Sequence, residues 1–295
     1  MNKYSTLCRK TSGPRSNIFC NLIDRIAKRP SLQFLSGWGY HCYEPRIYRT
    51  LAKILRYVDL DGFDVLLTDY IAFVEKSGYR LRLSFKLEFT EICVNTILYW
   101  IFARKGNPDF VELLLKKTKD YVQDRSCNLA LIWRTFTPVY CPSPLSGITP
   151  LLYVAQTRQS SILKILMQYG IFEREENPTN IVLTILLYPS RVRIMVDHEL
   201  VDIQEDAKTC LELCSRVLSA ISVREIETQL SLGRRPIIPN WLDYIPSTRY
   251  KDPCELLHLC RITIRTQLLI NNMLPNGIFS LLLPVRLQNY LNLES

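Results

Sequence analysis

Residues 147–171 constrain this chain more than any other stretch, because they encode two short helices joined by a tight turn. Thr149 precedes Pro150, which suits a helix start: a side-chain oxygen caps free N–H groups, and proline brings none of its own to cap. Ala155 is small enough to let two antiparallel helices approach closely. Ile162, Leu163, Ile165, Leu166 and Met167 follow on a second helix, and Gly170 supplies the left-handed conformation that ends it. A single helix pair cannot bury its apolar face, and about three stacked units are needed to do so. The chain is therefore expected to be mainly α and built by repetition.

The pair resembles an ankyrin repeat. Thr149, Pro150 and Leu151 stand where that repeat's Thr-Pro-Leu opens the first helix, and Ala155 occupies its small packing position. Leu152 replaces the histidine that usually bonds the neighbouring turn, and Arg158 and Gln159 replace the usual Gly-His. Upstream, Ala103, Gly106, Asn107, Phe110, Val111, Leu113, Leu114 and Leu115 match the second half of such a repeat, with Ile97, Leu98 and Tyr99 in place of Thr-Pro-Leu. Aligning Gly106 with Arg158 gives a step well beyond the ~33 residues of one repeat, so a long insertion intervenes. Residues 137–150 hold four prolines and Gly147 and read as an extended loop. Trp100, Trp133 and Tyr140 are contacts for a target or, more ordinarily, buried aromatics. Downstream, 177–198 reads as a degenerate repeat with apolar segments at 181–187 and 192–196. Residues 207–230 read as one helix with Leu211, Cys214, Leu218 and Ile221 on a face.

Before the repeats, 17–35 and 46–58 carry apolar residues at helical spacing, the second through Ile47, Leu51, Ile54, Leu55 and Val58. Residues 59–62 interrupt the pattern, which resumes from Phe63 to Val74. Residues 79–89 alternate strictly and predict an isolated strand. The expected organisation is a helical region over 1–90, an ankyrin-type solenoid over 91–230 with its clearest repeat at 147–176, and a linker plus terminal module over 231–295.

No apolar run approaches the ~18 residues of a membrane span. Ten cysteines are scattered, without C-x-x-C spacing and without a secretory signal, so the cytosol or nucleus is the expected location and buried thiols the expected role. The net charge of +9 is spread along the chain with no basic run, which gives nucleic-acid binding nothing beyond net charge. The three histidines, His41, His198 and His258, form no ligand set, and Cys254 with His258 falls short of the three or four ligands zinc needs. No nucleophile elbow, phosphate-binding glycine loop or dinucleotide fingerprint occurs. The expectation is a non-catalytic protein without metal or cofactor.

The last forty-odd residues carry the sharpest signal. Asp252 is a good N-cap, Pro253 suits the first helical position, and Glu255 stands where a capping box would bond back. Leu256, Cys260, Ile264 and Leu268 then fall at four-residue intervals. Leu257, Ile262 and Leu269 widen that apolar stripe, while Arg261 and Arg265 sit together off it. Asn271, Asn272, Pro275, Asn276 and Gly277 end the helix and turn the chain. A second apolar segment spans 278–283, and Pro284 opens a last helix whose Leu283, Leu287, Tyr290 and Leu291 share a face. Three short helices cannot bury this much apolar surface alone, which implies partner helices.

The run Leu256-x-x-x-Cys260-x-x-x-Ile264 resembles the elongin-binding motif of a SOCS box, and Pro284-x-x-Leu287-x-x-Tyr290-Leu291 resembles its cullin-binding end. With the upstream repeat, the chain resembles the ankyrin repeat and SOCS box family. Glu255 stands where the family usually has a small residue or proline, and Leu281-Leu282-Leu283-Pro284 where it usually reads Leu-Pro-x-Pro. The resemblance implies a three-helix SOCS box and a substrate-receptor role in a cullin-5 ubiquitin ligase. It implies elongin C, with elongin B, bound through Leu256, Leu257, Cys260 and Ile264. It further implies cullin-5 bound through Leu283, Pro284, Leu287, Tyr290 and Leu291, and an unidentified protein as target. An ankyrin-type scaffold without ligase function is the alternative.

Overall fold

The computed structural model describes residues 44–76, 97–118 apart from 99 and 103–105, 149–187 apart from 176, 203–232 and 236–294. In the first segment side chains are described from 51 to 72. Among these residues the chain is helical, with short 3-10 turns and one isolated antiparallel bridge between Leu187 and Pro236. It forms two compact units, Met1–Ile148 and Thr149–Ser295. The predicted helix at 17–35, the predicted strand at 79–89, the loop 137–148, Trp133, Tyr140 and the segment 192–196 lie outside the described residues.

In the first unit, α1 (Glu44–Tyr57) and α2 (Leu60–Lys76) are separated by Val58 and Asp59 alone. The expected interruption over 59–62 is shorter than predicted. Asp59 Oδ1 accepts the Gly62 N–H at 2.8 Å, so the carboxylate caps α2 and Gly62 lies inside its first turn. Leu51, Leu55 and Val58 are buried, as their spacing predicts. α2 packs on α3 (Pro108–Thr118) through Phe63, Trp100 and Phe110, whose ring centroids lie 5.1–6.0 Å apart. Trp100 is therefore a core aromatic.

The second unit begins with the predicted helix pair, α4 (Pro150–Thr157) and α5 (Ser160–Gln168). Thr149 Oγ1 accepts the Leu152 N–H at 3.1 Å, the cap that the Thr-Pro order predicts. A second pair follows, α6 (Thr179–Leu186) and α7 (Ile203–Val217). α4 packs on α6, α5 on α7, and each helix on its own partner, so the two pairs stack. Ala155, Leu163, Leu166, Ile181, Ile185, Cys210, Leu211 and Cys214 close the core between them, all fully buried. Burial pushes the Cys210 thiol up to about 12 and the Cys214 thiol well above its ordinary value, so both act as small apolar side chains.

Arg158 replaces the small residue expected after α4 and takes the left-handed conformation itself, at φ 55°. Its guanidinium folds back into the stack, where Nε donates to the Ile185 carbonyl at 3.1 Å and a terminal nitrogen to the Leu187 carbonyl. These are carbonyls at the end of α6 that have no partner within their own helix.

The predicted single helix over 207–230 is two helices. α7 stops at Val217, and α8 (Val223–Ser231) starts after Ser222, whose hydroxyl accepts the Glu225 N–H at 3.4 Å. Leu211, Cys214, Leu218 and Ile221 are nevertheless all buried. The proline-rich stretch that follows is a packed connection. Ile237, Ile238, Trp241 and Ile245 are buried, and the Ile237 N–H donates to the Leu186 carbonyl at 2.8 Å.

Candidate functional site

The terminal module consists of α9 (Leu256–Ile270), α10 (Asn276–Phe279) and α11 (Val285–Leu291). Its first turn is not the one the sequence predicts. α9 begins three residues later than the Asp252–Pro253 signal implies, with Glu255 as the extended N-cap residue making no side-chain cap. The Glu255 carboxylate is drawn elsewhere: one oxygen takes Arg249 at 2.6 Å and the other the Thr248 hydroxyl at 2.9 Å. The Arg249 guanidinium, with smaller help from the backbone and Thr248, holds that carboxyl down to about 2.

α9 is amphipathic in an unusual sense, since most of the residues it buries outright are polar. His258, Arg261, Arg265 and Leu268 are its buried residues. Arg265, only 1% exposed, donates to Glu173 at 2.6 Å, to the Leu291 carbonyl at 3.0 Å and to the Met167 carbonyl. Arg249 Nε donates to the Ser215 carbonyl at 2.9 Å. Met167 and Ser215 lie in the last turns of α5 and α7; the Met167 carbonyl also accepts the Gly170 N–H at 2.9 Å, so Arg265 takes its second acceptor position, and a cation at either end meets the negative end of the helix dipole.

His258 Nε2 lies 2.9 Å from the Leu218 carbonyl, and its Nδ1 lies 2.8 Å from an Arg261 terminal nitrogen. A carbonyl can only accept and a guanidinium can only donate, so the proton sits on Nε2 and the ring is neutral. Burial, chiefly, and the charges of Arg249 and Arg261 lower the pKa of His258. Arg261 lies 3.8 Å from the Tyr290 ring centroid, and burial brings it down to about 10.

Apolar packing completes the junction. Leu268, Leu274, Ile278 and Leu291 form the module's own core, with Ile264, Leu269, Leu281 and Leu283 against it. Gly170, at φ +75°, lies so near that an added Cβ would stand 2.6 Å from Leu269 Cδ1. The glycine that ends α5 thus also admits the module. Gln168 and Arg216 donate to the carbonyls of Asn292 and Leu293 and tie down the end of the chain.

Only the first part of the predicted stripe remains outward, since Leu268 is buried in the module core and Ile264 and Leu269 pack against it. Leu256 is 78% and Leu257 55% exposed, and Leu259 and Cys260 are exposed beside them. Ile264, further along, is half-buried against the module core. Of the residues predicted at the other end, Pro284 and Leu287 are exposed, and Leu283 is half-buried. Tyr290 lies under Arg261, and Leu291 is a core residue, 3% exposed, which places it behind the surface rather than on it. Leu282 and Val285 stand fully or largely exposed next to Pro284. The sequence reading missed His258, Arg249 and Glu173 as organising residues. Their signal was available in part: His258, Arg261 and Arg265 recur at three- and four-residue steps, but a stripe of polar residues does not announce itself as the inward one.

Among the described residues no group of three or more His, Cys, Asp and Glu could hold a metal, and no helix is long and apolar enough to cross a membrane. A family model, the SOCS box, matches residues 252–292. The whole chain is 89% identical to ankyrin repeat and SOCS box protein 17 of Mus musculus and 90% identical to that of Canis lupus familiaris, each covered over its full length. The protein of the same name from Homo sapiens is 85% identical over 294 residues, again with both chains fully covered. No solved structure matches the chain.

Proposed function

Because the chain belongs to the ankyrin repeat and SOCS box family, we propose that it is a non-catalytic substrate receptor of a ubiquitin ligase. In this reading elongin C, with elongin B, binds α9 through Leu256, Leu257 and Cys260, and Ile264 backs that surface. Cullin-5 binds the stretch around Pro284, with Leu283, Leu287 and Tyr290 as contacts and Leu291 holding α11 in place from within. The helix pairs and the N-terminal region hold the target protein, whose ubiquitination the assembled ligase carries out. The functional division is a receptor part through residue 230 and a docking part from 231 onward.

The observation that carries this is the orientation of α9. Its arginines and histidine face the chain's own helices, while Leu256 and Leu257 face solvent with most of their area uncovered. Exposed leucines at helical spacing on a rigidly held helix suit recognition by a hydrophobic groove, in which one or two buried aliphatic anchors supply most of the binding energy. Packing on the chain's own repeats does not account for these side chains.

The test is co-purification of the full-length chain with elongins B and C. Leu256→Ala combined with Cys260→Ala is expected to abolish capture while leaving thermal unfolding essentially unchanged, since both residues are exposed. Undiminished capture by the double variant would falsify the assignment. Failure of the wild type to capture elongins would leave the ankyrin-type scaffold without ligase function as the answer.

A further inference from the structure

The junction between the terminal module and α7 leaves an open cleft of about 330 Å³, within the range of small-molecule sites. Glu212 and Arg216 of α7, Tyr244, Arg249, Arg261 of α9 and Tyr290 of α11 line it. Its charge is not balanced from within. Arg249 is matched by Glu255 at 2.6 Å, but Arg216 and Arg261 form no ion pair among the described residues. Arg216 donates to the Leu293 carbonyl at 3.3 Å, and Arg261 to the Tyr290 carbonyl and the His258 ring, all neutral acceptors. Glu212, the one carboxylate among the described residues of the wall, pairs with neither among those residues.

Arg261 is the telling group. It is 5% exposed, and its Nε–H is buried with no acceptor among the described residues. A guanidinium N–H left unmet in a buried position is costly, and the cost disappears when a charged acceptor enters. Two guanidinium groups on different helices call for an ion with oxygens pointing in more than one direction. A tetrahedral phosphoryl group, with three acceptor oxygens and a charge near −2, meets that geometry better than a planar, singly charged carboxylate. The cleft is larger than a phosphate needs, and the Tyr244 ring on its wall offers an apolar surface beyond the charges.

We propose that this cleft binds a phosphoryl monoester, its oxygens held by Arg216 and Arg261 and its organic body against Tyr244. The monoester is either a free phosphorylated small molecule or a phosphorylated side chain of a bound protein, and the two sources share this chemistry.

Calorimetric titration of the full-length chain with inorganic phosphate, phenyl phosphate and a phosphotyrosyl peptide tests it. Saturable binding to one site is expected, with phenyl phosphate tighter than inorganic phosphate. Arg216 is only half-buried, so Arg216→Gln keeps the fold, which an unchanged melting curve verifies. That variant is expected to bind about tenfold more weakly, the loss of one charge-assisted hydrogen bond. Glu212→Gln is expected to bind more tightly, because it removes the opposing charge. A peptide that binds more tightly than phenyl phosphate assigns the site to a partner's phosphorylated side chain, and the reverse order assigns it to a small molecule. No saturable binding by any of the three, or affinities that both substitutions leave unchanged, overturns the proposal.

Discussion

Three buried arginines do the same work at three helix ends. Arg158 serves the last carbonyls of α6, Arg265 those of α5 and Arg249 those of α7, so cationic side chains stand where water would otherwise be needed. Arg265 is the most committed, since it also neutralises Glu173, which is 13% exposed. Arg265→Ala strands that carboxylate and takes away the donor that Arg265 supplies to the Leu291 carbonyl, while the Met167 carbonyl keeps the Gly170 N–H. A loss of about 3–5 kcal/mol is expected, the range for breaking a buried pair from one side, and urea unfolding reads it directly. A change below about 1 kcal/mol would show that water replaces the guanidinium. Little of this was legible beforehand. In the sequence Arg158 stands out only as a departure where a small residue is usual, and Arg261 and Arg265 only as lying off the apolar stripe. A one-dimensional pattern tells which residues share a face and not which face is covered.

At the scale of elements, helix identities followed from spacing and their ends from local chemistry. Thr149 caps α4 as predicted, because the signal is contained within four residues. The signal at Asp252 failed because a stronger bidder was present: Arg249 takes the Glu255 carboxylate, and α9 starts without a side-chain cap. The division of α7 from α8 was present in the sequence as Ser222 followed three residues later by Glu225, a capping pattern that the continuous apolar face of 211–221 obscured. Ser222→Ala is expected to cost about 1 kcal/mol, with the loss confined to α8 and visible as faster amide exchange there. Exchange that is unchanged in α8 would mean that packing of Ile226, which is fully buried, holds the helix on its own.

At the scale of the whole molecule, the second unit joins the stacked helix pairs and the terminal module through buried polar contacts, and such a junction carries a pH dependence. The pKa of His258 is lower in the folded chain than its ordinary value of 6.5, so the unfolded chain binds the extra proton more readily. The stability this contributes is complete above about 6.5 and is lost as the pH falls through the folded value. Protonation would set an Nδ1–H against Arg261 at 2.8 Å, with Arg249 also near and Glu255 opposing. Denaturation midpoints measured on either side of that value are expected to fall on the acid side, well before Glu255 titrates at about 2. A flat profile across the window, or one that His258→Gln leaves in place, would assign the loss elsewhere.

The sequence alone determined that the chain is mainly helical, where the helix pair α4–α5 lies and that Leu256, Leu257 and Cys260 share the start of an apolar stripe on α9, because periodicity and capping act over a few residues. Only the tertiary structure decided that the polar face of α9 is the buried one. The carbonyl ends of α5 and α7 are brought together by the stacking of the two pairs, and carbonyls with acceptor capacity to spare recruit arginine and histidine more strongly than leucine. The outward direction of Leu256 and Leu257 is the consequence.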